Sequence, residues 1–152
     1  LHTNDAPSAF TRLIDMGVEP FLVASTVEGV MAQRLVRTVC PDCKTAYTPD
    51  PDELPIDFPK PTDARAAHQL YKGLGCRSCR QSGYRGRTGI HELMITNDVI
   101  KDLIVQRVNA GLIRMEALKA GMRTLRQDGW LKALAGTTTF DEVARTTAGD
   151  LS

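Results

Sequence analysis

The sequence contains two short cysteine motifs, Cys40-Pro41-Asp42-Cys43 and Cys76-Arg77-Ser78-Cys79. A gap of two residues lets both sulfurs of one turn face the same ion, and two such turns supply the four thiolates of a tetrahedral site. Because all four ligands would be protein sulfurs, no position stays open for a reacting water. We therefore predict one structural Zn²⁺ held by Cys40, Cys43, Cys76 and Cys79.

The same cysteines have other chemical explanations. Four free buried thiols, two disulfides or a redox-active pair would use the same residues. Disulfides are rare in cytoplasmic proteins, and a thioredoxin-like motif needs only one cysteine pair. The charge pattern favours thiolates, because no acid stands between Gly73 and His91 and positive neighbours lower the pKa of a thiol. The positive neighbours are Arg77, Arg80, Arg85 and Arg87.

The composition is that of a soluble globular protein. Of the 152 residues, 42% are apolar and 24% are charged, and the formal net charge is +1. This length suits one ordinary domain or two small subdomains, and the charge suggests neither a nucleic-acid binder nor an acidic tail. No apolar run approaches the roughly 20 residues that span a bilayer. We expect a cytoplasmic chain, cut from a longer protein because it begins at Leu1 rather than at Met.

Helices are predicted at both ends of the chain. The first begins near Asn4 or Asp5 and stops at Gly17, and a second begins at Pro20, includes Val30 and is apolar nearly all round. From Asp98 onward the spacing is helical to the end and indicates a small bundle. The last helix carries a capping box, in which Glu142 is expected to accept from the N–H of Thr139.

The middle of the chain is less regular. Strands are predicted at 35–39 and 90–95, and a short helix is predicted at 64–71. Between Thr48 and Thr62 there are five prolines and four acids, which predict an irregular surface loop.

A few single residues are candidates for function. His2 lies where a strand end would meet a helix start, a place where α/β folds bind ligands. Arg85 and Arg87 could bind an anion, stack on a base or only balance the metal site. His68 and His91 are predicted to be structural. The chain contains no phosphate loop of the form G-x-x-x-x-G-K-[S/T], so it is predicted to hold no complete catalytic site.

Several motifs in order resemble one family. The stretch Leu1-His2-Thr3-Asn4-Asp5-Ala6 looks like the histidine box of bacterial secretion ATPases, and Gly83-Tyr84-Arg85-Gly86-Arg87-Thr88-Gly89 looks like the exit from that family's metal-binding subdomain. The similarity continues through residues 17–25, 32–37, 40–43, 90–93, 121–125 and 139–143. The chain therefore resembles the type II secretion ATPase, called the E protein, and the closely similar type IV pilus assembly ATPase. The tetracysteine lobe and Pro20-Phe21-Leu22 favour the secretion member.

The resemblance implies a three-part α/β architecture. Residues 1–39 would be the C-terminal portion of a RecA-like P-loop ATPase core. Residues 40–83 would form the tetracysteine zinc-binding subdomain with its proline-rich loop. Residues 84–152 would form a mainly helical C-terminal subdomain.

The resemblance also implies a function. The full-length protein would be a homo-hexamer that uses ATP and Mg²⁺ at the cytoplasmic face of the inner membrane. It would act on inner-membrane platform proteins to assemble a pseudopilus, meeting the membrane only through partners and binding no nucleic acid. The position of His2 implies a catalytic role near the γ-phosphate, and that of Arg87 implies contact with the nucleotide base. The family's phosphate loop, Walker B acid, aspartate box and catalytic arginines would all precede Leu1, so this chain alone should not hydrolyse ATP. A zinc-ribbon nucleic-acid module and a redox protein remain as alternatives.

Overall fold

The computed structural model describes residues 1–63 and 67–151 as a mixture of helices and strands. The chain divides into two compact units. Unit 1 comprises Leu1–Gln33 and His91–Leu125, and unit 2 comprises Arg34–Ile90 and Arg126–Ser152. The mixed helix and strand content agrees with the predicted class.

Unit 1 is built from four helices on one apolar core. They are α1 (Ser8–Asp15), α2 (Pro20–Thr26), α3 (Asp98–Val105) and α4 (Ala110–Lys119). The core residues with the largest side chains are Phe10, Val23, Met94, Ile100, Ile104 and Ile113. Burying them removes apolar surface from water, which is the main force that holds the helices together.

The predicted stop of α1 at Gly17 is confirmed, but the helix starts later than predicted, at Ser8 with Pro7 as its N-cap. Asp5 provides a hydrogen-bond acceptor at the start of the helix, because its Oδ1 accepts from the free backbone N–H of Ser8 at 2.8 Å. Gly17 takes φ +93°, a left-handed conformation that glycine adopts without steric cost.

The prediction for α2 was right about its start and wrong about its burial. The helix begins at Pro20 and ends at Thr26, so Val30 belongs to the following strand. Only Pro20, Val23 and Ala24 are buried in it. Phe21 keeps 73% of its surface exposed because the described core contacts only one side of this helix.

Two long strands pair with each other. They are β1 (Gly29–Val39) and β4 (Tyr84–Ile95), and they contain the predicted strands at 35–39 and 90–95. The pairing is antiparallel, because Thr96 N donates to Glu28 O at one end and Cys40 N donates to Gly83 O at the other, both at 2.9 Å.

Unit 2 contains a second, shorter pair of strands and two helices. Strand β2 (Lys44–Tyr47) pairs antiparallel with β3 (Leu70–Gly73). Helices α5 (Leu125–Leu134) and α6 (Phe140–Thr146) follow, so the predicted helices after Asp98 are confirmed, with α3 and α4 in unit 1. The helix predicted at 64–71 is wrong at its end, where Leu70 and Tyr71 lie in β3; residues 64–66 lie outside the described part.

The proline-rich loop was expected to be an irregular surface loop, and this was wrong at two residues, Pro49 and Phe58, which are buried. The loop forms a 3₁₀ turn at Pro51–Glu53 and then inserts Phe58, which is only 5% exposed. The ring of Phe58 lies 5.2 Å from that of Trp130 and 6.0 Å from that of Phe140. Burial of this one aromatic ring stabilises the loop at Phe58, while the backbone around the prolines stays irregular.

The capping box on α6 is half confirmed. Thr139 Oγ1 accepts from the N–H of Glu142 at 3.1 Å, as predicted. The Glu142 carboxylate instead accepts from Arg37 Nη2 and Arg145 Nη2, each at 2.8 Å. Charge-assisted bonds of this kind are stronger than a bond to a neutral amide. This explains why Glu142 pairs with the two arginines rather than with the N–H of Thr139.

Candidate metal centre

The four cysteine sulfurs meet in unit 2. Each Sγ atom lies within 4.8 Å of the other three. The Sγ atoms of Cys40 and Cys76 are 3.8 Å apart, those of Cys43 and Cys79 are 3.9 Å apart, and those of Cys76 and Cys79 are 3.6 Å apart. Zn–S bonds of about 2.3 Å in a tetrahedron require sulfurs about 3.8 Å apart. The donor set therefore fits one tetrahedral zinc ion.

The strands position these cysteines. Cys40 follows the end of β1, and Cys43 immediately precedes β2. Cys76 lies shortly after β3, and Cys79 lies shortly before β4. Since β1 pairs with β4 and β2 pairs with β3, the strand pairs bring the two cysteine turns together across a sequence separation of 36 residues.

The second cysteine turn is tightly wound. Gln81 N donates to Cys76 O at 2.9 Å, and Ser82 N donates to Cys79 O at 3.1 Å. Arg80 and Gln81 take φ values of +52° and +65°. Non-glycine residues adopt this region only where the surroundings hold them there, and each such residue costs of order 1 kcal/mol or more. The backbone hydrogen bonds to the carbonyl oxygens of Cys76 and Cys79 help to hold the turn in this conformation.

The thiols differ in their acidity. Burial by itself would raise the pKa of Cys79, but its Sγ accepts hydrogen bonds from the N–H groups of Cys76 (3.2 Å) and Gly83 (3.3 Å), and the pKa falls to about 6. Burial raises the pKa of Cys43 to about 12. A positive ion at the centre is therefore what would hold all four sulfurs as thiolates.

The arginines around the cluster lie at the surface. Arg77, Arg80, Arg85 and Arg87 are all exposed. Arg85 Nη1 contacts both cysteine turns, lying 3.4 Å from Asp42 Oδ2 and 3.1 Å from Ser78 Oγ. Because Arg85 and Asp42 are more than half exposed, this ion pair adds little stability.

The structure places the other two predicted site residues in different units. His2 is exposed in unit 1 and lines a cavity of about 280 Å³ with Arg12 and Asp15. Arg87 is exposed on β4 in unit 2. Their roles stay predictions.

Of the remaining histidines, His68 makes contacts that fit the structural role predicted for it. Its Nε2 lies 2.6 Å from the carbonyl oxygen of Pro59, and its ring meets the edge of Phe58 at 5.2 Å. His91 is exposed on β4.

Sequence reasoning missed the hydrogen bonds by which Asp57, a residue of the proline-rich loop, is held to α5. Asp57 Oδ2 accepts from Arg126 Nε at 2.6 Å and from Trp130 Nε1 at 3.0 Å. Burial by itself would raise the pKa of Asp57, but these two bonds lower it below its ordinary value. Arg126 also donates to Thr147 Oγ1 at 3.1 Å. Asp57 is one of four acids in the loop, so nothing in the sequence singled it out.

A buried carboxylate in unit 1 was also missed. Glu92 is 1% exposed, and its two oxygens accept from the backbone N–H groups of Ala6 at 2.9 Å and Leu125 at 3.1 Å. The signal available in the sequence was the period of two along the predicted strand, which puts Glu92 on the same face as the apolar residues Ile90 and Met94.

Every helix within residues 1–63 and 67–151 is too short or too polar to span a bilayer.

The fold and the sulfur geometry define a mixed helix and strand protein that could hold one metal ion. The model of one protein family, described as type II/IV secretion system protein, matches residues 1–145. This chain belongs to that family.

Named relatives come from both branches of the family. The chain is 49% identical over 147 residues to the type IV pilus assembly ATPase PilB of Thermus thermophilus, covering 96% of this chain and 16% of that protein. It is 46% identical over 148 residues to the type II secretion system ATPase E of Vibrio cholerae, covering 97% of this chain and 28% of that protein. The chain thus spans less than a third of the length of either relative, and the two identities do not decide between secretion and pilus assembly.

Proposed function

We propose that this chain is the C-terminal part of a hexameric ATPase that couples ATP hydrolysis to pseudopilus assembly and protein secretion across the outer membrane. The observation that carries the proposal is the family match over 1–145, together with relatives named as secretion and pilus ATPases. In this account the motor works at the cytoplasmic face of the inner membrane. It contacts inner-membrane platform proteins and meets the membrane only through them.

The cysteine lobe would hold a structural zinc ion. Cys40, Cys43, Cys76 and Cys79 would be its ligands, as the distances between their sulfurs support. When bound, the ion would supply the positive charge that four neighbouring thiolates need and would crosslink two turns that are distant in sequence. The rigid lobe would then present a fixed surface to a neighbouring subunit or partner.

ATP and Mg²⁺ belong to the full-length protein. Residues 1–39 would complete a RecA-like core, residues 40–83 would form the zinc subdomain, and residues 84–152 would form the mainly helical subdomain. His2 would act as a catalytic residue near the γ-phosphate, and Arg87 would contact the nucleotide base. Because backbone amides and a lysine of the phosphate loop supply most nucleotide affinity in such folds, this chain alone should show no turnover.

The two assignments are tested by ATPase kinetics of the full-length protein. His2→Ala should lower kcat with little change in the binding of a fluorescent ATP analogue. Arg87→Ala should raise the KM for ATP, whereas Arg80→Ala serves as the matched control at another exposed arginine. Equal effects of Arg87→Ala and Arg80→Ala would contradict a specific role for Arg87, and unchanged kcat after His2→Ala would contradict its catalytic role.

Secretion and pilus assembly are separated by complementation. A bacterium that carries both systems, with one motor gene deleted at a time, should regain secretion of its exported enzymes with this protein. Restored pilus-driven surface movement without restored secretion would assign the protein to the pilus branch.

A nucleic-acid module is the second candidate, because four exposed arginines surround the cysteine turns. The net charge of +1 opposes it, since neutralisation of phosphates drives such binding. A gel shift that weakens steeply with salt would favour this candidate over the motor.

A further inference from the structure

The backbone that joins His2 to helix α1 bends beside a polar cavity of unit 1. The cavity has a volume of about 280 Å³, and residues 2–4 form one of its walls while α1 forms the other. The lining residues of α1 are Ser8, Thr11, Arg12 and Asp15. Asp5 and Ala6 lie at the bend between the two walls. The conformation of these two residues therefore determines where His2 lies relative to α1.

Both backbone polar groups of Ala6 are hydrogen-bonded. Its carbonyl oxygen accepts from the N–H of Ala9 at 3.1 Å, which joins the bend to the first turn of α1. Its N–H donates to Glu92 Oε1 at 2.9 Å, which joins the bend to β4. Ala6 is fully buried, so an N–H that loses its acceptor at this position stays unsatisfied, at a cost in free energy.

A second set of contacts holds the preceding residue. Asp5 Oδ2 lies 3.6 Å from Arg114 Nη1 of α4, and both side chains are partly buried. The other carboxylate oxygen of Asp5 accepts from the N–H of Ser8 at 2.8 Å. The bend is thus held by α1, α4 and β4 of unit 1, and Glu92 supplies the contact with β4.

Glu92 is an unfavourable residue for its place in the strand unless its oxygens are used. Met94, the next residue on the same face of β4, is fully buried and apolar. An apolar residue in place of Glu92 would avoid the cost of burying a carboxylate. The carboxylate provides what an apolar side chain cannot, namely acceptors for the N–H groups of Ala6 and, at 3.1 Å, of Leu125. Its contribution is therefore the fixed position of these two amides.

We propose that Glu92 is a positioning residue for His2, because it fixes the bend that places the imidazole of His2 near the γ-phosphate. This inference rests on the catalytic role proposed for His2 above and adds the residue on which that role depends. Glu92 is 1% exposed and acts only through the backbone of Ala6. It should therefore change kcat rather than the affinity for nucleotide, since a misplacement of about 1 Å can cost about 10²-fold in rate.

The test is a double-mutant cycle on the ATPase activity of the full-length protein. Glu92→Met keeps an unbranched side chain of similar length and removes both acceptors. It should lower kcat roughly tenfold or more, while the affinity for a fluorescent ATP analogue stays within about twofold of wild type. In a His2→Ala background the same substitution should lower kcat no further, because a residue that acts only through His2 then has nothing to position.

Two further variants separate positioning from stability. Glu92→Gln keeps the shape of the side chain and loses one of the two acceptors, so it should give a smaller fall in kcat. It decides the question alone if circular dichroism shows that Glu92→Met does not fold. Ile104→Val removes one methylene group from the core of the same unit and touches neither hydrogen bond, so it should keep the kcat of wild type.

Three results would each overturn the proposal: folded Glu92 variants with the kcat of wild type, a Glu92 effect that is equally large with and without His2, or an Ile104→Val effect as large as that of Glu92→Met. If His2→Ala lowers kcat in the same experiment, the catalytic role of His2 survives these results. An unchanged kcat in His2→Ala would instead overturn both that role and the positioning role of Glu92.

Discussion

The backbones of Gly73 and Gly83 pass too close for a side chain on either residue. A Cβ atom on Gly83 would lie 2.6 Å from the carbonyl oxygen of Gly73, and one on Gly73 would lie 2.6 Å from the Cα atom of Gly83. The two glycines enclose the turn that holds Cys76 and Cys79, so their close approach shapes the second half of the cysteine cluster.

This contact predicts the effect of Gly83→Ala. The substitution adds a clash with backbone and also strains a residue at φ +79°. We expect a loss of at least about 2 kcal/mol in the free energy of unfolding, together with weaker zinc retention in competition with a chelator. Gly149→Ala is the control, because nothing lies within 4 Å of its Cβ position. Equal stability of both variants would show that the close approach does not matter.

Glu142 should make stability depend on acid pH. Burial would raise the pKa of Glu142, but hydrogen bonds from Arg37 and Arg145 lower it from 4.5 to about 2. A lowered folded-state pKa stabilises the fold above the unfolded value, and this stabilisation is lost as the pH falls from about 4.5 to about 2. Urea unfolding should show wild type more stable than Glu142→Gln by up to about 3 kcal/mol at neutral pH, with the difference shrinking across that window. Glu116→Gln, at a surface ion pair, should differ little from wild type at any pH. A Glu142→Gln difference that stays constant down to pH about 2 would contradict the assignment.

Phe58 should anchor the proline-rich loop. Phe58→Ala removes a ring that is 5% exposed and packed against Trp130 and Phe140, so we expect a loss of about 3 kcal/mol in the free energy of unfolding. Ile56→Ala, two residues earlier and 99% exposed, should change stability by less than about 0.5 kcal/mol. Urea denaturation followed by Trp130 fluorescence measures both, and a loop that only lies on the surface would give two near-neutral variants.

Glu92 should fix the backbone around Ala6. Glutamine has one carbonyl oxygen in place of two carboxylate oxygens, so Glu92→Gln leaves one of the N–H groups of Ala6 and Leu125 without its acceptor. We expect a cost of roughly 1–3 kcal/mol and faster hydrogen exchange at one of these two amides. Glu28→Gln, at an exposed position, is the control. Unchanged exchange at both amides would mean that the carboxylate does not hold this segment.

The sequence predicted those features that depend on local chemistry. The spacing of the cysteines was enough to predict the four-sulfur cluster, because two turns of this type can serve one ion. Gly17 and Pro20 marked helix ends correctly, since the left-handed conformation of glycine and the fixed φ of proline act at single residues.

The missed features depend on contacts that are distant in sequence. Glu142 was placed in its capping box, but its partner Arg37 is 105 residues away. Asp57 and Phe58 stood in a loop whose composition predicted only irregularity, and their partners are in α5 and α6. Phe21 is apolar yet exposed, because hydrophobic periodicity predicts which residues can be buried and not what covers them.

Metal analysis of the purified chain decides whether Cys40, Cys43, Cys76 and Cys79 hold one structural zinc ion. Elemental mass spectrometry before and after chelation, with circular dichroism on both samples, should find about one zinc per chain and a loss of structure when it is removed. Cys43→Ser should bind zinc far more weakly than wild type. A chain that is purified without zinc, and that keeps its structure in the presence of the chelator, would mean that the four cysteines do not form a structural zinc site.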